Sequence, residues 1–404
     1  MSHEITIVPD GSVTSPLGYV AGATYAGIRT YAPGKVDLGL LYSESPAAAA
    51  GTFTKNKVVS ACVTVSKRIA DRGVSRGVIV NSGCANCSVG EQGLKDAEEM
   101  AALAAGATGA SAEDMAVSST GIIGVELPMG LLRNAVGKIE LTRDGGHDFA
   151  RSIMTTDTVS KEIAVSFDAG GKTVTVAGCC KGSGMIHPNM ATMLAYLTTD
   201  AEVDAALLQE TISEVVDSTF NMVDVDGDTS TNDTVLVFAN GAAGAAVSRG
   251  TPEAEALAAA LTQVCTHLSR EMVKDGEGAT KLIEVTVDGA ESVADARMAA
   301  RSVASSILVK TAIHGNDPNW GRIMMAVGKS GAEVVEDKLT LHINDICIME
   351  AGLPVPFFKE SLVATMLGDE VRIRVSLNIG DGVAVGWGCN MSEEFVTFNS
   401  AYTT

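Results

Sequence analysis

Apolar residues fall along this chain in two alternating patterns. Short runs rich in apolar residues, at 77–81, 235–238 and 282–287, read as strands, and apolar positions recurring every three or four residues, at 94–105, 252–273 and 294–305, read as helices. Residues 161–167 and 172–179 flank Ala169-Gly170-Gly171, the composition of a hairpin turn. Further strands are expected at 36–42, 339–343, 346–350, 371–377 and 383–387, and further helices at 127–139, 148–154 and 319–327. Thr251-Pro252 opens the helix over 252–273 with proline at its first position, and Thr199-Asp200-Ala201-Glu202 has capping-box spacing that predicts a helix reaching about 220. Both halves thus mix helices with strands, which suits an α/β architecture of helices covering two stacked sheets.

Composition narrows the class. With 46% hydrophobic residues the 404-residue chain can bury large cores, and no run of about 18 apolar residues occurs, so no membrane-spanning helix is expected. The opening MSHEITIVPDGS is polar and acidic, unlike a signal peptide, which makes the cytoplasm the expected location. Twenty-nine basic against 49 acidic residues, a net of −20, argue against nucleic acid or an anionic membrane as partner. A carboxylate-bearing substrate then needs a local cation, and Lys181 is the candidate. The eight cysteines are too sparse for a disulfide framework. Cys84 and Cys87 form a C-x-x-C that reads as ordinary small buried residues, as a redox pair or as half a zinc site in a non-enzymatic binding protein; no second pair completes such a site, and no metal is expected. Asp224, Asp226 and Asp228 resemble a calcium loop, but Gly227 stands at the fourth place and Val235 at the twelfth, so calcium is rejected.

The stretch KGSGMIHPNMATMLAYLTTD, residues 181–200, combines backbone constraint with a candidate nucleophile. Gly182 and Gly184 permit unusual backbone angles, Pro188 restricts itself and His187, and Met193, Leu194, Tyr196 and Leu197 anchor the downstream side in a core. Thr192 lies between the two regimes. A threonine hydroxyl needs an adjacent base to act as nucleophile, and the amine of an N-terminal threonine is one solution. Attack of the Thr192 hydroxyl on the Ala191 carbonyl, an N-to-O acyl shift and hydrolysis of the ester would create that amine. The same residues also read as turn chemistry alone. Two other loops invite comparison: Ser118-Ser119-Thr120-Gly121, which is ordinary loop composition or a set of donors for an oxyanion, and Asp275-Gly276-Glu277-Gly278, where Glu277 is a solvated turn residue or a fixed functional carboxylate. At the end of the chain, alternating Phe395, Thr397 and Asn399 predict a final strand.

The run KGSGMIHPNMATMLAYLTTDA resembles the self-cleavage region of the ornithine acetyltransferase (glutamate N-acetyltransferase) family, which splits before the threonine of M-A-T-M. The resemblance extends over nearly the whole chain, through IVNSGCANCSVGEQGLKDA, VSSTGIIG, MTTDT, VDGDTSTNDTVLVFANG, KDGEGATKLIEV, LVKTAIHGNDPNWGRI and FVTFNSAYTT. It implies a four-layer α/β/β/α sandwich cleaved between Ala191 and Thr192 into associated pieces, 1–191 with the oxyanion hole and 192–404 beginning with the nucleophile. The implied enzyme of arginine biosynthesis moves acetyl from N-acetylornithine to glutamate through acetyl-Thr192. Thr120 and Gly121 match the oxyanion hole, and Thr155, Lys181, Thr192, Glu277, Asn399 and Thr404 match the substrate contacts. No cofactor is implied; acetyl-CoA remains open as a co-substrate, and a heterotetramer of two of each piece is the implied assembly. A self-processing aminopeptidase or amidase, in which water accepts the acyl group, is the alternative. Three features depart from the family pattern: Cys84 and Cys87 stand where Asn and Ala are usual, Asn390 where an acidic residue is, and Met222 where a basic one is.

Overall fold

The computed structural model describes residues 4–30, 33–187 and 193–401. A nine-stranded sheet is built from β1 (Thr6–Val8), β2 (Tyr19–Thr24), β3 (Leu38–Phe53), β4 (Val74–Cys84), β5 (Met115–Ile122), β6 (Lys161–Ala169), β7 (Lys172–Lys181), β8 (Leu194–Thr199) and β9 (Thr234–Ala239). Its order is β1-β6-β7-β8-β9-β3-β4-β5, with β2 on the free side of β3. The strand expected over 36–42 is far longer than that, running 16 residues from Leu38 to Phe53.

That sheet is folded upon itself. The first half of β3 pairs with β2 and β4, its second half with β9, and the register with β4 breaks between Tyr42 and Ala47. Adjacent strands are about 4.8 Å apart, so β7 and β5, five places apart in the order, would lie about 24 Å apart in a flat sheet. Yet Lys181 Nζ at the end of β7 is 3.4 Å from Thr120 Oγ1 on β5, and Asn232 Nδ2, just before β9, donates to the Ser119 carbonyl of β5 at 2.7 Å. Only a bend at β3 that brings the two halves face to face allows both. Leu41, Val78 and Val80 of one half and Leu194, Tyr196 and Phe238 of the other share the inner core, with the Phe149 ring edge-on to Tyr196 at 5.3 Å.

The outer faces are covered by helices. Leu40, Ile79 and Val117 meet α1 (Ala61–Arg72), α2 (Gly90–Thr108) and α3 (Met129–Ala135), and Val165, Val176, Leu197 and Val237 meet α5 (Ala205–Ser218) and α6 (Pro252–Lys274). Alternating strand residues therefore serve two cores, as Cys179 on the inner face and Cys180 on the outer one illustrate. The result is the expected α/β/β/α order of layers, with α4 (Gly146–Ser152) supplying Phe149.

A seven-stranded sheet completes the molecule. It contains β10 (Leu282–Ala290), β11 (Thr340–Ile343), β12 (Ile346–Glu350), β13 (Glu370–Ser376) and β14 (Gly382–Cys389), in the order Val223–Asp224, β14, β10, β13, β11, β12, Leu353–Pro354. Its core runs on from that beneath α6, through Ala299, Ala300 and Val303 of α7 (Val293–Ala304). The remaining helices are α8 (Ile307–His314), α9 (Trp320–Gly328), α10 (Lys359–Met366) and α11 (Glu393–Ala401).

Four expectations are corrected. Thr199 ends β8 and opens no helix: the Asp200 carboxylate is taken by the Leu17 and Thr175 amides, and Asp204 instead caps α5 by accepting from Ala206 and Leu207. Residues 118–121 are strand rather than loop. The helix expected over 127–139 begins after Pro128 and ends as one tight turn at 136–138. The final segment is helix α11, with Thr397 Oγ1 donating to the Glu393 carbonyl four residues back, so the alternation of Phe395, Thr397 and Asn399 reports no strand.

Candidate active site

Where the folded sheet brings β5 against β7, the strand ends enclose a cavity of about 120 Å³. Thr120, Gly121, Thr155, Lys181, Glu277 and Asn399 all line it, although they come from five separate stretches of sequence. Thr192 and Thr404, the other residues singled out from sequence, and Ala191 lie outside the described residues. Met193, directly after Thr192, lines the same cavity.

Each group is placed by local structure. Thr120 and Gly121 sit where β5 runs beside the Gly83–Cys84 irregularity of β4. Gly121 has φ +129, and a Cβ there would fall 2.6 Å from the Cys84 nitrogen, so the close approach of the two backbones requires glycine. Lys181 ends β7, paired with Leu194. Its ammonium is buried, and burial lowers its proton affinity, a loss Asp157 partly reverses. Glu277 is fixed by its own amide, which donates to the Ser183 carbonyl at 2.8 Å, and by Asn399 Nδ2, which donates to its Oε2 at 2.9 Å. Gly184 lies against that carboxylate: a Cβ would come within 2.6 Å of Oε2. Glu277 is thus a fixed group, and α11 delivers Asn399 to it while Ser392 Oγ ties the start of the helix to the Gly278 carbonyl at 2.6 Å.

Beneath the cavity lies a charge network that sequence reasoning missed. Lys161, at the start of β6 with its side chain fully buried, is ion-paired with Asp157 at 2.7 Å and Asp275 at 2.6 Å. Asp157 also accepts from the Gly182 amide at 2.7 Å, and Asp275 from the Thr158 amide. Burial alone would push the Asp157 carboxyl up; Lys161 and Lys181 outweigh it and hold the group down at about 2. The three loops carrying Thr155, Lys181 and Glu277 therefore share one buried ammonium as their anchor. The signal in the sequence is a lysine four residues after Asp157, in phase with Ile163, Val165 and Phe167 on the apolar face of the strand KEIAVSF.

On the upstream side of residues 188–192, the Met185 and Ile186 amides donate to the Asp226 carboxylate, and His187 Nδ1 is 2.7 Å from Asp224 Oδ2. Asp224 is in turn paired with the buried Lys310 at 2.8 Å. The carboxylates of Asp224 and Asp226, within the stretch that resembles a calcium loop, are thus engaged by protein groups. Cys84 and Cys87 are both buried, and the Cys84 thiol donates to the Val125 carbonyl at 3.2 Å. Asn390 accepts from the Thr280 and Lys281 amides, so its departure from an acidic residue leaves it joining β14 to the strand beside the site. Met222 is buried in the main core.

The arrangement holds donors for an oxyanion, a buried cation for a carboxylate and a fixed carboxylate–amide pair, which together suit acyl transfer between amino-acid substrates. Residues 20–404 match the family model described as the ArgJ family. The chain is 45% identical over 405 residues to the arginine biosynthesis bifunctional protein ArgJ of Dehalococcoides mccartyi, covering all of both chains. It is 47% identical over 397 residues to that of Symbiobacterium thermophilum, covering 98% of this chain and 99% of the relative. A solved chain of the Bacillus halodurans arginine biosynthesis bifunctional protein is 42% identical, with a TM-score of 0.51; all of it aligns with 52% of this chain.

Proposed function

Because the chain belongs to the ArgJ family, we propose that it moves an acetyl group from N-acetylornithine to glutamate, giving ornithine and N-acetylglutamate through an ester on Thr192. The observation that carries this reading is the single cavity shared by Thr120, Gly121, Lys181, Glu277 and Asn399. In it the Thr120 hydroxyl and the Gly121 amide receive the developing oxyanion, Lys181 takes a substrate carboxylate, and Glu277 with Asn399 orients the amino-acid part of the substrate together with Thr155 and Thr404. The threonine ester keeps the acyl group activated between half-reactions, so no metal or nucleotide is required.

The nucleophile's base is its own α-amine, freed when the Ala191–Thr192 bond is cut by the Thr192 hydroxyl. Cleavage leaves residues 1–191 and 192–404 associated, because β8 and β9 from the second piece lie between β7 and β3 from the first. The complete alignment of a solved relative's chain with little more than half of this one is in keeping with such a division. Two copies of each piece form the working assembly, in the cytoplasm. The word bifunctional in the relatives' names extends the reading to acetyl-CoA as a second donor to glutamate.

The test is incubation of the purified protein with glutamate and either N-acetylornithine or acetyl-CoA, measuring N-acetylglutamate. Denaturing electrophoresis is expected to show two pieces, the larger with Thr-Met-Leu-Ala-Tyr as its first residues. Thr192→Ala is expected to remain one inactive chain. Cleavage of that variant at the same bond, or acetyl passing to water as readily as to glutamate, would overturn the reading.

A further inference from the structure

Asp233 is an acid of this cavity to which the proposed chemistry gives no role. It stands immediately before β9, is 2% exposed, and lines the cavity with Lys181, Thr120 and Glu277. Among the described residues its Oδ2 has no hydrogen-bond partner. A carboxyl buried with one oxygen unpartnered is costly to ionise, so its place in the fold favours the neutral acid. Its surroundings favour the protonated form: burial dominates, and the Met193 amide, the Ser230 hydroxyl, the Lys181 charge and the Thr54 hydroxyl offset it only in part. A carboxylic acid kept neutral at the wall of a reaction cavity is a proton store.

Resting on the acetyl-transfer reading, we propose that Asp233 is a catalytic residue that gives a proton to the amine leaving the acetyl carbon and takes one from the amine that replaces it. In the donor half-reaction the ester bond to Thr192 forms and the acetyl C–N bond breaks. The Thr192 hydroxyl proton passes to its own α-amine, and the departing nitrogen takes the Asp233 proton, leaving a carboxylate and a neutral amine that is protonated by water after release. In the acceptor half-reaction an incoming ammonium returns one proton to the Asp233 carboxylate, and the neutral amine so formed attacks the ester. The C–O bond breaks, the Thr192 oxygen takes the proton held on its α-amine, and the surplus proton on the new amide nitrogen passes to water.

The decisive comparison uses processed Asp233→Asn enzyme, acetylated with N-acetylornithine and then mixed with glutamate or with hydroxylamine, whose nitrogen is uncharged at neutral pH and has no proton to lose before attack. Discharge to glutamate is expected to fall about a hundredfold or more, the usual worth of a positioned acid–base group, while discharge to hydroxylamine stays at the wild-type rate. An unchanged rate with glutamate, or an equal loss with both nucleophiles, overturns the proposal. Where the variant fails to fold or to be cleaved, isotope-edited infrared spectra of the wild-type enzyme take its place: the carbonyl band of a protonated aspartate is expected to vanish on acetylation and return on adding glutamate, and a constant spectrum overturns the proposal. Failure of the acetyl-transfer reading itself is distinguishable, since the wild-type enzyme would then form no acetyl adduct with N-acetylornithine.

Discussion

Replacing Lys161 by methionine removes the one ammonium that three loops share, and the cost follows from what is left behind. Asp157 has a folded-state value of about 2 against an ordinary 3.8, so at neutral pH its ionised form contributes about 2 kcal/mol to stability, one pKa unit being worth about 1.4 kcal/mol. That figure is already net of burial, which acts the other way. Without Lys161 the burial cost is met by Lys181 and the Thr155 and Gly182 amides, and Asp275 keeps its bonds from Thr158. The loss is therefore expected to reach the range of a broken buried pair, about 3–5 kcal/mol. Thermal unfolding at pH 7 is expected to show a clear drop for Lys161→Met and a partial recovery in Lys161→Met/Asp157→Asn, where no carboxylate remains at 157 but an oxygen still accepts from Gly182. The acid limb has a defined sign: a depressed carboxyl stabilises above its unfolded value and ceases to do so as pH falls from about 4 through about 2, and in Lys161→Met that limb moves to higher pH. A single variant with wild-type stability, or a double variant no better than the single one, would refute the account of Lys161 as a shared anchor.

Thr120→Ala is expected to lower turnover of N-acetylornithine by about a hundred- to thousandfold with little change in substrate affinity, the signature of a lost oxyanion donor; steady-state kinetics reads both. Gly184→Ala is expected to push Glu277 away from Asn399, raising the KM for glutamate in the same assay while leaving the cleaved state of the chain unaltered. Burial raises the Asp226 carboxyl to about 6, so its contribution is present below about 4 and lost as pH rises through about 6; Asp226→Asn is expected to flatten the pH dependence of the melting temperature over that interval.

What the sequence disclosed and what it concealed divide along physical lines. Strands such as β4 and β9 are flagged by uninterrupted apolar runs because both of their faces are covered, and α6 by Thr251-Pro252 and its apolar stripe. The C-terminal helix was hidden because a three-residue alternation cannot tell a short strand from a helix that buries none of its residues. The capping box at Thr199 misled because Asp200 is claimed by amides at 17 and 175, partners that no local pattern reveals. The site residues from Thr120 to Asn399 were legible through family resemblance, not through composition. Lys161, Asp275 and Asp233 were not, since their meaning depends on burial and on partners as many as 114 residues apart.

The nine-stranded sheet has one more implication, for the order of events in the life of the chain. Its strands β8 and β9 are held along two seams, β7 to β8 and β9 to β3, each running through six paired positions. A backbone opened between β7 and β8 loses its covalent link without losing either seam, so the break leaves little trace in the native state. The reverse journey is different. Once unfolded, two separate polypeptides must find each other and rebuild an interior sheet before either has a complete core, a concentration-dependent search that the uncut chain never faces. Any scission there makes the molecule a one-way product of its own folding: durable while assembled, and hard to recover once taken apart.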